Sequence, residues 1–142
     1  MKKGGPIIVI EDDADDQELL NEIFTRLAYS NELLFFNDGE AALQFLYSTQ
    51  TKPFIILSDI NIPKIDGMAL REIINSDQRL KFKCIPFIFY STAADPNQVF
   101  TAYSLSVQGF FQKGYSFSEL EKTISIIMEY WERCIAPEKI SN

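Results

Sequence analysis

Phe54-Ile55-Ile56-Leu57-Ser58-Asp59 decides the fold. Four apolar residues follow one another without alternation, and the run stops abruptly at a hydroxyl and a carboxylate. A strand with one wet face alternates apolar and polar side chains, whereas an unbroken run suits a strand covered on both faces. Similar runs flank this one: Ile7-Ile8-Val9-Ile10, Leu33-Leu34-Phe35-Phe36 and Phe87-Ile88-Phe89-Tyr90. A shorter fifth, Val107 to Phe111, is broken by Gly109. None alternates cleanly, so a sheet with a solvated face is not expected.

Between the runs, apolar residues recur at helical spacing. Leu20, Ile23, Phe24 and Leu27 form one stripe; Leu70, Ile73 and Ile74 form another; Leu120, Ile124, Ile127 and Trp131 form a third. Asp38-Gly39 opens a helix carrying Ala42, Phe45 and Leu46. Asp95-Pro96-Asn97-Gln98 places an N-cap, a Pro at the first helical position and a Gln at N3. Ser116-Phe117-Ser118-Glu119 reads as a capping box. Strand and helix thus alternate five times, (βα)5, an α/β chain. Parallel strands joined by helical crossovers need helices on both faces, giving a three-layer sandwich. The 142 residues fit a single domain, 1–142, with its core at about 6–133 and a tail, 134–142, expected to fray.

A composition of 46% hydrophobic and 23% charged residues suits a soluble domain with a proper core. The formal charge of -7 argues against nucleic acid and acidic membrane surfaces as partners, since both call for clustered Lys and Arg. No apolar stretch approaches the roughly 18 residues that cross a bilayer, and the start does not read as a signal peptide. Cys84 and Cys134 show no CxxC spacing, so reduced thiols and a cytoplasmic location are expected. The chain has no His, which excludes Ser-His-Asp, Cys-His and HExxH chemistry.

In open α/β sheets, ligands bind beyond the carboxyl ends of the strands. The first run ends in Glu11-Asp12-Asp13, the third in Ser58-Asp59-Ile60-Asn61, the fourth in Ser91-Thr92 and the fifth in Gln112-Lys113. Carboxylates about 5 Å apart repel by roughly 3 kcal/mol per pair at an effective dielectric near 20. A hard cation relieves that repulsion, and Mg²⁺ prefers carboxylates, waters and phosphate oxygens. A carboxylate can also attack phosphorus, with Ser91 and Lys113 placed to hold the product oxygens. Asp13, Asp15 and Asp16 read more simply as acids at a helix N-terminus. Among the aromatics, Trp131 reads as packing, and Tyr103, Phe110 and Tyr115 are weaker candidates for a partner surface.

With those positions in order, the chain resembles the receiver domain of bacterial response regulators over nearly its whole length. It is most similar to the single-domain, chemotaxis-regulator-like members without an output module. Ser58-Asp59-Ile60-Asn61-Ile62-Pro63-Lys64-Ile65-Asp66-Gly67 matches the family's D-x-x-x-P-x-x-x-G signature. The resemblance implies a flavodoxin-like fold with five parallel strands in order 2-1-3-4-5. It implies phosphorelay signalling, with Asp59 as phosphoacceptor, Ser91 as switch hydroxyl, Lys113 as phosphate-binding residue and Phe110 as the repacking aromatic. Mg²⁺ would be held by Asp12, Asp59 and the Asn61 backbone carbonyl, with Glu11 acting through water. The implied partners are a sensor histidine kinase or phosphotransfer protein and a downstream protein of unknown identity. A second copy of the chain is a further candidate, with docking between Pro96 and Arg133. Lys113 is followed by Gly114, where the family usually has Pro. A phosphatase with an Asp nucleophile is the enzyme alternative, weakened by Asn61 where an acid/base Asp would stand. A binding-only pseudo-receiver and a flavin carrier are the others.

Overall fold

The apolar runs become strands because each has helices to cover it on one side or both. In the computed structural model, which describes residues 4–92, 94–114 and 116–137, these are β1 (Ile7–Ile10), β2 (Leu33–Phe36), β3 (Ile55–Ser58), β4 (Phe87–Ser91) and β5 (Gly109–Gln112). Tyr115 and the tail beyond Pro137 lie outside the described residues. The five strands pair in parallel in the order β2-β1-β3-β4-β5, the flavodoxin-like arrangement that the family resemblance implies.

The helices are α1 (Ala14–Leu27), α2 (Gly39–Ser48), α3 (Gly67–Ser76), α4 (Gln78–Lys81), α5 (Pro96–Ser104) and α6 (Phe117–Arg133). Asp13, Asp38, Asp66, Asp95 and Ser116 each accept a hydrogen bond from the backbone N–H three residues on, satisfying a donor that the first turn leaves without a partner.

Two cores, one on each side of the sheet, explain why the strands do not alternate. On one side Ile8, Ile10, Ile56, Phe87 and Phe89 pack against Ala42 and Leu46 of α2 and Leu70 and Ile74 of α3. On the other, Ile7, Val9, Ile55, Leu57 and Ile88 meet Leu20 and Ile23 of α1 and Leu120, Ile124 and Ile127 of α6. Trp131 packs part-buried against this second core.

Three details differ from the sequence reading. The edge strand β2 is only half-buried throughout, because it has a neighbour on one side alone. The fifth strand begins at Gly109 instead of Val107, and Val107 is buried just before it. The one-turn helix α4 is an addition. Asp77, which ends α3, accepts hydrogen bonds from Arg79 N–H and Leu80 N–H and so starts a new turn at once. Four residues are too few to show a helical period.

Candidate functional site

Register brings the site together. Ile10 of β1 stands opposite Ser58 of β3, so the next residues, Glu11 and Asp59, leave the sheet side by side. The Asp59 N–H donates to the Ile10 carbonyl at 3.0 Å. Across the other half of the sheet, Ser91 pairs with Gln112, and the Lys113 N–H donates to the Ser91 carbonyl at 2.9 Å. Backbone pairing alone therefore places an acid, a second acid, a serine and a lysine on one rim.

The side chains close the arrangement. The Lys113 ammonium donates to Glu11 Oε1 at 2.7 Å, Asp16 Oδ2 at 2.7 Å and Asp59 Oδ2 at 3.0 Å. The Asp59 Oδ1 atom accepts from the Ile60 N–H at 2.7 Å, and Glu11 Oε2 accepts from the Asp13 N–H at 3.1 Å. Glu11, Asp59 and Ser91 are buried. Gln17, on α1, donates to the Glu11 carbonyl and, at 2.6 Å, to Asn37 Oδ1, joining α1 to the ends of β1 and β2.

Burial raises the Glu11 carboxyl above its ordinary value, an effect that the hydrogen bond from Lys113 only partly offsets. For Lys113, burial works against the charge, but the hydrogen bonds to Asp16, Glu11 and Asp59 outweigh it and hold the ammonium above the usual lysine range. Burial likewise pushes the Tyr90 phenol up to about 12; its ring centroid lies 5.5 Å from the Lys113 nitrogen. Three carboxylates share one ammonium, leaving two negative charges in formal excess.

Of the residues singled out in the sequence, Glu11, Asp59 and Lys113 meet directly. Ser91 lies beside them through its backbone. Phe110 is half-buried, its ring centroid 5.8 Å from that of Phe89. Asp12 and Asn61 are exposed, and Asp12 is not among the partners of the Lys113 ammonium. The residue that sequence reasoning missed is Asp16. It sits in the first turn of α1, as read, but it also reaches Lys113. No signal in the sequence sets it apart from Asp15, its neighbour in the same turn.

The loop after Asp59 explains the signature glycine. Gly67 donates its N–H to the Ile60 carbonyl at 2.8 Å, and a Cβ there would lie 2.4 Å from the Asp59 carbonyl oxygen and 2.8 Å from the Phe89 ring. No cis peptide bond occurs among the described residues. At Gly114 an added Cβ would meet nothing closer than 3.5 Å.

Among the described residues no three acidic side chains already stand in a metal-gripping arrangement. The donor chemistry nonetheless fits a hard divalent ion: carboxylate and carbonyl oxygens, with negative charge beyond what one ammonium offsets.

A family model described as the response regulator receiver domain matches residues 7–125. The chain is 30% identical to the probable methanogenesis regulatory protein FilR2 of Methanothrix harundinacea, over 88% of this chain and 82% of that one. It is also 30% identical to the response regulator Rcp1 of a Synechocystis strain, over 88% and 87% of the two chains. Among solved structures, the phosphorylated cyanobacterial phytochrome response regulator RcpA superposes with a TM-score of 0.82 at 30% identity, covering 92% of this chain and 95% of that one. The Mn(2+)-bound form of Rcp1 superposes with a TM-score of 0.82 at 27% identity, covering 95% and 99%.

Proposed function

This chain belongs to the response regulator receiver family and serves phosphorelay signalling, and we propose that it does so by accepting a phosphoryl group on Asp59. The observation that carries this reading is the Lys113 ammonium, which holds Asp59 and Glu11 together from the far side of the sheet. A sensor histidine kinase or phosphotransfer protein presents a phosphohistidine. An Asp59 oxygen forms the new P–O bond, the P–N bond breaks, and its electron pair stays on the imidazole.

Asp59 suits the role because its Oδ1 is fixed by the Ile60 N–H while its Oδ2 faces an ammonium. Lys113 follows the charge onto the phosphoryl oxygens. Asp12, Asp59 and the Asn61 carbonyl would hold Mg²⁺, with Glu11 acting through water, and the ion would supply countercharge for in-line transfer. That a related regulator has been seen with Mn(2+) supports a divalent site.

The new phosphoryl group adds a charge of about -1.5 to -2. Ser91 turns toward it from the end of β4, and Phe110, packed against Phe89 of the same strand, repacks in response. The readout is a protein contact between Pro96 and Arg133, made with a downstream partner or a second copy of the chain. Phe100 and Tyr103 of α5 and Ile126 and Tyr130 of α6 are exposed there. We read residues 1–142 as one receiver with its core at 6–133, a cytoplasmic signalling domain that assists only its own phosphorylation and dephosphorylation. Among the described residues no helix is long and apolar enough to cross a membrane.

The test is intact mass after incubation with a small acyl phosphate and Mg²⁺. Wild type gains one phosphoryl group and Asp59→Asn gains none; equal labelling of both proteins would sink the assignment.

A further inference from the structure

The Lys113 ammonium has three N–H groups, and all three are engaged, with Glu11, Asp16 and Asp59. Lys113 can follow the charge from Asp59 onto one phosphoryl oxygen, but a second N–H to that group requires Glu11 or Asp16 to be released. Glu11 is the costly one to leave, because its side chain is 3% exposed and a buried anion without a partner is strongly disfavoured. Asp59 carries the phosphoryl group itself. Asp16, with a side chain 32% exposed, can exchange the ammonium for water at small cost.

We propose that Asp16 is a positioning residue, a releasable latch that parks Lys113 before phosphorylation and competes with the phosphoryl group for it afterwards. This rests on Asp59 being the phosphoacceptor. The latch is held by the backbone: the Asp16 N–H donates to Asp13 Oδ1 at 3.0 Å, and the Asp13 N–H donates to Glu11 Oε2 at 3.1 Å. Asp15, in the same first turn, is exposed and is not among the partners of Lys113. It serves as the internal control for a general effect of negative charge near a helix terminus.

The experiment compares wild type, Asp16→Asn and Asp15→Asn as full chains. It measures the phosphorylation rate with a small acyl phosphate and Mg²⁺, the affinity for beryllofluoride with Mg²⁺, and the melting temperature. Asp16→Asn is expected to take up phosphate and bind beryllofluoride about two- to fivefold better, the range carried by a partly exposed ion pair, with no gain in melting temperature. A merely structural Asp16 would lower stability and activity together. The latch is refuted if Asp16→Asn is unchanged or slower, or if Asp15→Asn shows the same gain. Wild type that takes no phosphoryl group on Asp59 would instead refute the phosphoacceptor reading, and mass spectrometry tells the two failures apart.

Discussion

A Cβ added at Gly67 would stand 2.4 Å from the carbonyl oxygen of Asp59. Neither atom has room to yield, since that carbonyl also accepts the Ser58 hydroxyl at 2.7 Å and Gly67 opens α3 behind the Asp66 cap. Gly67→Ala is therefore expected to cost about 1–3 kcal/mol, the usual range for overpacking a filled interior, measured by urea denaturation. The displaced loop carries Asp59, so phosphorylation by a small acyl phosphate should slow as well. Unchanged stability would show that the loop is looser than the packing implies.

Arg71 is the second structural prediction. It is buried on α3, donating Nε–H to the Leu105 carbonyl at 2.9 Å and Nη2–H to the Ser106 carbonyl at 2.7 Å. Its guanidinium carbon lies 5.5 Å from the Phe87 ring centroid. Burial lowers its pKa from the ordinary arginine value. Arg71→Met keeps the apolar stem but leaves two carbonyls without their donor, and is expected to cost about 2–3 kcal/mol. Hydrogen exchange checks where the loss falls: protection should drop at Val107 and Gln108, at the entry to β5.

The two stabilising features just named differ in how far the sequence discloses them. Gly67 belongs to a signature that the family resemblance supplies, whereas the unbroken runs of β1, β3 and β4 and the acidic and basic residues ending them could be read directly. Local chemistry suffices for these, because a doubly covered strand must be apolar and a strand-end residue must be polar. Arg71 and Asp16 were not legible in the same way. Each lies on a helix face whose neighbour is distant in sequence, so nothing local separates Arg71 from a solvated arginine or Asp16 from a helix-terminal acid. The half-exposure of β2 is not written in the composition of Leu33–Phe36 either: edge position depends on strand order, which only the family resemblance implies.

Tyr47 and Asp77 give a pH-dependent prediction. The Tyr47 hydroxyl donates to Asp77 Oδ2 at 2.6 Å, and this bond is the largest cause holding the Asp77 carboxyl below its ordinary value of 3.8. A carboxyl depressed in the folded state binds fewer protons there than in the unfolded chain. Its contribution is therefore complete above the unfolded value and fades as pH falls through the folded one. Tyr47→Phe should lower the melting temperature at neutral pH, and the gap should narrow as the pH drops below about 4. A gap that stayed constant with pH would mean that the hydroxyl stabilises the fold by a route other than its bond to the Asp77 carboxylate.

Lys113→Met tests whether an ammonium and a metal serve the same charges. The substitution strips Glu11, Asp16 and Asp59 of the cation they share. Breaking a buried pair by removing one partner costs about 3–5 kcal/mol; partial exposure of Asp16 and hydration of the rim should bring this nearer the lower end. If the excess negative charge is what draws a divalent ion, Mg²⁺ should raise the melting temperature of both proteins, and of Lys113→Met from a lower concentration. Once the metal is in excess over its dissociation constant, each further tenfold adds about 1.4 kcal/mol to either protein. The difference between them therefore lies in the concentration at which stabilisation begins. Thermal melts across a Mg²⁺ series, with Ca²⁺ and Na⁺ at matched ionic strength, provide the measurement. An equal onset in both proteins would mean that the metal does not bind where the ammonium stood.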